Sequence, residues 1–303
     1  MKELILNFQS EEEKRALVTD GEAAFRAELS ETVRCISERS DLRLITVSGP
    51  SCSGKTTSSK KLEAALEEHG YAVHVISIDD FFLDRDYLIK RAHEKGVPLD
   101  FDSPDTLDFA ALADAIDAIV SGKSHQIPIF SFREGRRVGY RTLTPTGSHD
   151  VYLIEGIQAV YPEVLSCFGK NEFVSLFVCP EVELALGEAR LSATDVRFLR
   201  RLVRDAKFRN AEPEFTFTLW KTVRENEEKN IFPNLAKVRY RVNSYLAYEP
   251  YMIAPLAVRL LRSIGKQSAH AERAEGYIRL LSSLPEISER YLPPDSLFRE
   301  FIG

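Results

Sequence analysis

The chain has 303 residues, which is enough for one large domain or two modest domains with a proper hydrophobic core. Hydrophobic residues make up 44% of it and charged residues 28%, a balance typical of globular proteins. The net charge of -6 argues against a nucleic acid as the main partner, and no apolar run approaches the ~20 residues that a membrane span needs. The four cysteines are far apart and show no metal-ligand spacing, which indicates a reduced, cytoplasmic protein.

Hydrophobic patterning divides the chain into a helical leader (1–40), a main domain (41–265) and a peripheral helical extension (266–303). In the leader, apolar residues recur at a spacing near 3.6 residues between positions 10 and 38, which predicts a helix. The main domain alternates apolar strands with helices, a pattern typical of an α/β fold with a parallel central sheet flanked by helices. After residue 181 the pattern is mainly helical. The predicted strands cover 42–47, 72–78, 151–154 and 173–178, and the predicted helices cover 55–68 and 107–120.

A glycine-rich loop follows the first of these strands. Residues 49–56 read Gly-Pro-Ser-Cys-Ser-Gly-Lys-Thr and fit the GxxxxGK[ST] motif, between a predicted strand and a predicted helix. We therefore predict a P-loop NTPase fold, in which backbone N–H groups face the phosphates of ATP. Lys55 is expected to reach the β- and γ-phosphates, and the Thr56 hydroxyl to coordinate Mg²⁺. The candidate nucleotide-binding residues here are Gly49, Ser51, Cys52, Ser53, Gly54, Lys55, Thr56 and Thr57.

Acidic residues follow two further predicted strands. Asp79 and Asp80 come after the strand that ends at Ile78, and Glu155 comes after Ile154. Ligands of open α/β sheets lie beyond the carboxyl ends of the strands. A carboxylate at that place can hold Mg²⁺ or accept the proton of an attacking hydroxyl. Each residue by itself is equally well explained as a turn acid or helix cap, and the pattern alone does not separate Asp79 from Asp80.

Basic residues crowd one predicted helix between positions 197 and 209. Arg201 and Arg204 are three residues apart and share a face of that helix. Such a helix can act as a helical lid, whose guanidinium groups neutralise the charge that develops on a transferred phosphoryl group. The alternative is a solvated basic face. The phosphate loop favours the lid, so Arg201, Arg204 and Arg209 are candidate phosphate-binding residues.

Further sequence segments occur in a fixed order over about residues 42–262. Together they identify a protein family more specifically than the phosphate loop alone. They are Ile-Ser-Ile-Asp-Asp-Phe-Phe at 76–82, Phe-Asp-Ser-Pro-Asp-Thr-Leu-Asp at 101–108, Ile-Glu-Gly-Ile at 154–157, Arg-Leu-Val-Arg-Asp-Ala-Lys-Phe-Arg at 201–209 and Val-Asn-Ser-Tyr-Leu-Ala-Tyr-Glu at 242–249. This series resembles the uridine kinase family, within the phosphoribulokinase/uridine kinase group, and is nearest to a bacterial uridine-kinase-like subgroup. The resemblance implies an ATP- and Mg²⁺-dependent kinase in which Asp79 is the catalytic base, with Lys55 and Arg204 beside it. It also implies that Glu155 helps to organise Mg²⁺ and that Asp102 hydrogen-bonds sugar hydroxyls.

The segment that would read the acceptor departs from this family. Phe130 stands where the family has a tyrosine, and Gly135 where it has a histidine that helps to read the pyrimidine. A site that loses such polar groups loses discrimination between acceptors. We count Phe130 with Asp79, Asp102 and Arg204 among the acceptor-binding candidates, and we expect a nucleoside as the acceptor.

Two other functions remain open at this point. One is a sister kinase acting on a phosphorylated sugar, pantothenate or glycerate, and the other is a nucleotide-binding regulatory protein that has lost catalysis. The expected partners are ATP and a small-molecule hydroxyl acceptor, without nucleic acid or membrane, and a homo-oligomer is left open.

Overall fold

The computed structural model describes residues 2–39, 43–96, 101, 103–147 and 149–303. Its strands are β1 (Lys2–Glu3), β2 (Leu44–Ser48), β3 (Ala72–Ser77), β4 (His125–Ser131), β5 (Arg136–Leu143), β6 (Asp150–Glu155), β7 (Phe173–Cys179), β8 (Glu183–Leu186), β9 (Ala189–Ser192) and β10 (Tyr240–Asn243). Five of them form the central sheet in the order β10-β7-β2-β6-β3, and every neighbouring pair is parallel. The carboxyl ends of these strands therefore meet at one edge of the sheet.

Helices cover both faces of the sheet, because its inner strands are apolar on both sides. Strand β2 is buried along its whole length. Successive side chains alternate between the faces, so that Ile45 and Val47 enter one hydrophobic cluster and Leu44 enters the other. The helices are α1 (Glu11–Ser37), α2 (Lys55–Glu68), α3 (Arg85–Lys95), α4 (Phe109–Val120), α5 (Pro162–Ser166), α6 (Ala193–Arg209), α7 (Pro213–Asn226), α8 (Glu249–Leu261), α9 (Ala271–Leu281) and α10 (Arg299–Ile302).

The predicted α/β fold with a parallel central sheet is confirmed. The helix predicted over 10–38 is α1, and the helix predicted over 55–68 is α2 with the same bounds. The strands predicted over 72–78 and 173–178 are β3 and β7, each within one residue of the predicted ends. These elements are long or strongly apolar, so that their hydrophobic pattern is distinct from that of their neighbours.

The chain after residue 181 is mainly helical, as predicted, but two places in it form strands that the sequence did not reveal. Strands β8 and β9 form an antiparallel hairpin, with β1 added in parallel to β8, and β10 completes the central sheet. Strands β8, β9 and β10 have four residues each, too few for an alternating pattern to show in the sequence. The segment between α4 and β6 also forms an antiparallel hairpin, β4–β5.

Residues near both ends of the chain belong to the same hydrophobic cluster as one face of the sheet. Val33 and Ile36 of α1, and Phe298 and Phe301 near the C-terminus, are at most 1% exposed. The predicted boundaries at residues 40 and 265 remain a proposal, and both flanking segments contribute to the core of the domain that they flank. None of the helices in the described part of the chain is long and apolar enough to cross a membrane.

We predict that the C-terminal segment contributes strongly to stability. Phe298→Ala should lower the free energy of unfolding by about 3–5 kcal/mol, because it removes a ring that is 0% exposed. Phe215→Ala is the matched control, since the Phe215 side chain is 56% exposed, and it should change stability by no more than about 0.5 kcal/mol. Urea unfolding of both variants measures the difference, and equal small losses would show that the segment is peripheral.

Candidate functional site

The phosphate loop joins the end of β2 to the start of α2. Gly49 permits a close backbone approach, because a Cβ atom there would lie 2.3 Å from the carbonyl oxygen of Val178. Gly54 caps α2 with a φ of 86°, and Cys52 also has left-handed backbone with a φ of 59°. Burial raises the pKa of the Cys52 thiol, which keeps it neutral. Such a curled loop at a helix N-terminus has the geometry of an anion-binding site.

Arg200, a buried residue of α6, holds the backbone of this loop. Its guanidinium donates to the carbonyl oxygen of Cys52 at 3.3 Å and to that of Ser244 at 2.7 Å. It also forms a bidentate pair with Glu249, with N···O distances of 2.6 and 2.7 Å. The loop, α6 and the start of α8 are therefore tied together by one cation.

Arg197, one turn earlier on α6, repeats this arrangement. It donates to the carbonyl oxygen of Ser51 at 3.1 Å and forms a bidentate pair with Glu227 at 2.6 and 2.9 Å. The side chains of Arg197 and Glu227 are each 1% exposed. Buried pairs of this kind cost desolvation energy, so their gain is in fixing geometry, and losing one partner leaves an uncompensated charge.

A cavity of about 560 Å³ opens in front of the loop, a volume within the usual range for small-molecule sites. It lies at the edge of the sheet where the parallel strands end. The predicted site residues that line it are Ser51, Cys52, Ser53, Lys55, Thr56, Asp79, Arg201, Arg204 and Arg209. The structure thus brings together the loop, one acidic strand end and the basic helix. Asp102 lies outside the described residues.

Lys55 and Glu155 meet beside the loop. The Nζ atom of Lys55 lies 3.1 Å from one oxygen of Glu155, and Ser77 donates to the other oxygen at 2.8 Å. The parallel register of β3 and β6 places Ser77 opposite Glu155 and so fixes this carboxylate. No group of three or more His, Cys, Asp or Glu that could hold a metal occurs among the described residues. Thr56 lines the cavity and Glu155 lies beside Lys55, and their role at Mg²⁺ remains a prediction, which would need phosphate oxygens as further ligands.

Asp79 and Asp80 lie in one 3₁₀ turn, Ile78–Phe81, and have different surroundings. Asp79 lines the cavity in front of the phosphate loop. Asp80 accepts a hydrogen bond from the backbone N–H of Phe130 at 3.2 Å and lies 3.9 Å from Arg141. Burial raises the pKa of Asp80. The ambiguity left by the sequence is reduced, since Asp80 supports the β4–β5 hairpin while Asp79 borders the cavity.

Helix α6 places three arginines around one carboxylate at the cavity. Asp205 lies 3.1 Å from Arg201, 2.8 Å from Arg204 and 3.4 Å from Arg209. Arg201 also donates to the hydroxyl of Ser51 in the loop at 2.8 Å. Partial burial, and then the positive charge of Arg204, lower the pKa of Arg209. Three guanidinium groups exceed the charge of one carboxylate, so this wall of the cavity favours a polyanion.

An aromatic cluster borders the other end of the cavity. Phe82, Phe130 and Phe132 contact one another with ring centroids 5.3 to 5.6 Å apart. Phe82 and Phe132 line the cavity at the loop and also an adjoining, mainly apolar cavity of about 570 Å³. Phe130 lines the adjoining cavity. The predicted acceptor residue Phe130 thus lies at the cavity that adjoins the one in front of the phosphate loop.

Gly135 forms a tight turn in the β4–β5 hairpin, and its lack of a side chain has a steric reason. Its φ is 68°, and a Cβ atom there would lie 2.7 Å from the guanidinium carbon of Arg85. The backbone N–H of Arg85 donates to the carbonyl oxygen of Gly135 at 2.7 Å. The guanidinium of Arg85 donates to the carbonyl oxygen of Phe132 at 2.6 Å. A histidine at this position would require Arg85 to move.

Sequence reasoning missed three residues of the site. Arg197 and Arg200 counted only as members of a basic run, although their spacing among apolar residues of α6 was a signal of burial. Glu300 also lines the cavity and accepts hydrogen bonds from Thr57. No pattern in the sequence points to Glu300, because it lies 243 positions from Thr57.

A curled loop, a lysine and a cationic helix at the carboxyl ends of parallel strands define a P-loop nucleotide-binding protein. Residues 44–244 match the model of the phosphoribulokinase / uridine kinase family. The chain belongs to this family. It is similar to the uridine kinase of Halobacterium salinarum, with 28% identity over 191 residues that cover 62% of this chain and 74% of that protein.

Two further similarities are more limited. The inorganic pyrophosphatase TTM2 of Arabidopsis thaliana is 32% identical over 126 residues, which cover 41% of this chain and 17% of that protein. The solved structure of the YGR205w protein aligns with a TM-score of 0.50 at 15% sequence identity, over 69% of this chain and 89% of that one. The second similarity concerns the fold alone.

We predict that Arg200→Gln lowers the free energy of unfolding by about 3–5 kcal/mol, because Glu249 is left buried without its partner. The double variant Arg200→Met/Glu249→Leu should recover most of this loss, since it removes both charges. Arg259→Gln is the control, because Arg259 is an exposed arginine of the neighbouring helix α8. Urea unfolding measures all three variants, and a loss in Arg200→Gln no larger than in the control would contradict the anchoring role.

Proposed function

We propose that this protein is an ATP- and Mg²⁺-dependent kinase that transfers the γ-phosphoryl group to a hydroxyl of a nucleoside. The observation that carries the proposal is the single cavity lined by Lys55, Asp79 and the arginines of α6. A loop that binds phosphate, a carboxylate beside it and a cationic wall are the parts that phosphoryl transfer uses. The sequence similarity to uridine kinases supports the acceptor class.

In the proposed reaction, Asp79 accepts the proton of the acceptor hydroxyl as its oxygen attacks the γ-phosphorus. A new oxygen–phosphorus bond forms, the bond from the γ-phosphorus to the bridging oxygen breaks, and ADP leaves with that electron pair. Lys55 and Arg204 bind the phosphate oxygens and offset the charge on the moving group. Mg²⁺, held by Thr56 and organised by Glu155, would neutralise phosphate charge. Positioning accounts for most of the catalysis.

The aromatic cluster supports an acceptor with a planar ring. Phe132 lies between the phosphate cavity and the apolar cavity and is 57% exposed, so that it can stack against a base, while the buried Phe82 packs behind it. Phe130 has no hydroxyl, and Gly135 has no room for a side chain. We therefore propose recognition by stacking more than by hydrogen bonds to the base edge, with weak discrimination between uridine and cytidine.

A phosphorylated acceptor is less well supported. The charges of two arginines in the β4–β5 hairpin are already matched, because Arg136 lies 2.7 Å from Glu134 and Arg137 lies 3.2 Å from Asp108. Arg85 lines the apolar cavity and forms no ion pair with a described residue, so a cation is present at that end of the site. The preference for a nucleoside over a phosphorylated sugar, pantothenate or glycerate therefore rests on the aromatic cluster and on the similarity to uridine kinases. The cytoplasmic location expected from the sequence is part of this proposal.

ADP release in the presence of single acceptors tests the function. We expect turnover with uridine and cytidine, and none with a phosphorylated sugar, pantothenate or glycerate. Turnover with one of the latter alone would contradict the nucleoside acceptor. ATP binding without stimulation by any acceptor would favour the regulatory protein that lacks catalysis.

We predict that Asp79→Asn lowers kcat by about 10²–10⁴-fold, because the amide cannot accept the proton. The dissociation constant for ATP should change by no more than about threefold, since that carboxylate acts on the acceptor. Asp114→Asn is the control, because Asp114 is exposed on α4, and it should retain full activity. Steady-state kinetics with equilibrium nucleotide binding separates the two effects, and an unchanged kcat in Asp79→Asn would exclude Asp79 as the base.

A further inference from the structure

Glu300, near the C-terminus, places its carboxylate beside the phosphate loop. Glu300 lies in α10, lines the same cavity as Lys55, and accepts two hydrogen bonds from Thr57. One comes from the backbone N–H at 3.1 Å and the other from the hydroxyl at 2.8 Å. The loop therefore already binds an anion that belongs to the protein.

The N–H group of Thr57 is one of those that a phosphate would use. Thr57 is the third residue of α2, so its N–H has no partner within the helix. The positive end of the helix adds to its affinity for anions. In a P-loop, such N–H groups cradle the α- and β-phosphates. A carboxylate and a phosphate cannot share this donor, because like charges repel at hydrogen-bond distance.

The backbone that carries Glu300 is packed firmly in place. Leu297 is fully buried and fills the space beside Gly54, where a Cβ atom would lie 2.7 Å from it. The ring of Phe301 lies 4.7 Å from the guanidinium of Arg200. Lys207 of α6 donates to the backbone carbonyl oxygen of Ile302. Glu300 is thus presented by an ordered segment that contacts both the loop and α6.

We infer that Glu300 is an autoinhibitory residue that competes with the α-phosphate of the nucleotide for Thr57. Nucleotide binding then requires the Glu300 side chain to turn away from the loop, which lowers the affinity for ATP. The inference rests on the proposed binding of ATP at this loop. A purely structural helix cap would use the same hydrogen bonds, but its loss would destabilise the protein without raising nucleotide affinity.

Calorimetric titration with a nonhydrolysable ATP analogue and Mg²⁺ tests this inference on the full chain. Glu300→Gln should lower the dissociation constant about fivefold, because the amide is a weaker competitor. Glu300→Ala should lower it about tenfold, because no acceptor remains. Glu289→Gln is the matched control, since Glu289 is an exposed glutamate of the same segment, and its dissociation constant should stay within about twofold of the wild type.

An unchanged or higher dissociation constant in both Glu300 variants would overturn the inference. Thermal unfolding of each variant shows whether the C-terminal segment stays folded. A variant with a lower unfolding temperature and weaker nucleotide binding identifies Glu300 as a helix cap. Lys55→Ala separates this result from failure of the proposed function. Binding that is lost in Lys55→Ala but unchanged in the Glu300 variants contradicts only the autoinhibition. Binding that is independent of Lys55 contradicts the nucleotide site and, with it, the role of Glu300.

Discussion

The buried pairing of Arg197 and Arg200 with glutamates is the interaction on which the site depends. Each arginine donates hydrogen bonds to a glutamate carboxylate and also to a carbonyl oxygen of the phosphate loop. The loop is short and rich in small residues, so its backbone needs external support to keep N–H groups aligned. Because both arginines lie on α6, the same helix that supports the loop also places Arg201 and Arg204 at the cavity in front of it.

This arrangement limits what the basic helix can do. A lid that swings far from the nucleotide would have to remove two buried cations from their partners, and that is costly. The arginines that face the cavity cluster on Asp205, where their charge is only partly offset. The buried pairs of Arg197 and Arg200 therefore oppose a large movement of helix α6 away from the loop. Preorganised charge of this kind is an effective way to stabilise a phosphoryl group in transfer.

Much of the fold and the centre of the site could be predicted from the sequence. The phosphate loop is local, so its residues and their spacing identify it, and β3 and β7 are mainly apolar runs. Asp79 and Glu155 could be found because parallel strands end at one edge of the sheet. What remained hidden depends on contacts between distant positions. No periodic pattern in the sequence indicates the glutamate partners of Arg197 and Arg200. The same holds for the contact between Glu300 and Thr57. The hairpin of β8 and β9 was missed because its strands are short.

A crystal structure of the protein with Mg²⁺, a nonhydrolysable ATP analogue and uridine tests the proposed kinase site most directly. We expect the terminal phosphate between Lys55 and Arg204, with the carboxylate of Asp79 in hydrogen-bond distance of a ribose hydroxyl. A nucleotide bound away from the loop, or an acceptor held beyond the reach of Asp79, would contradict it.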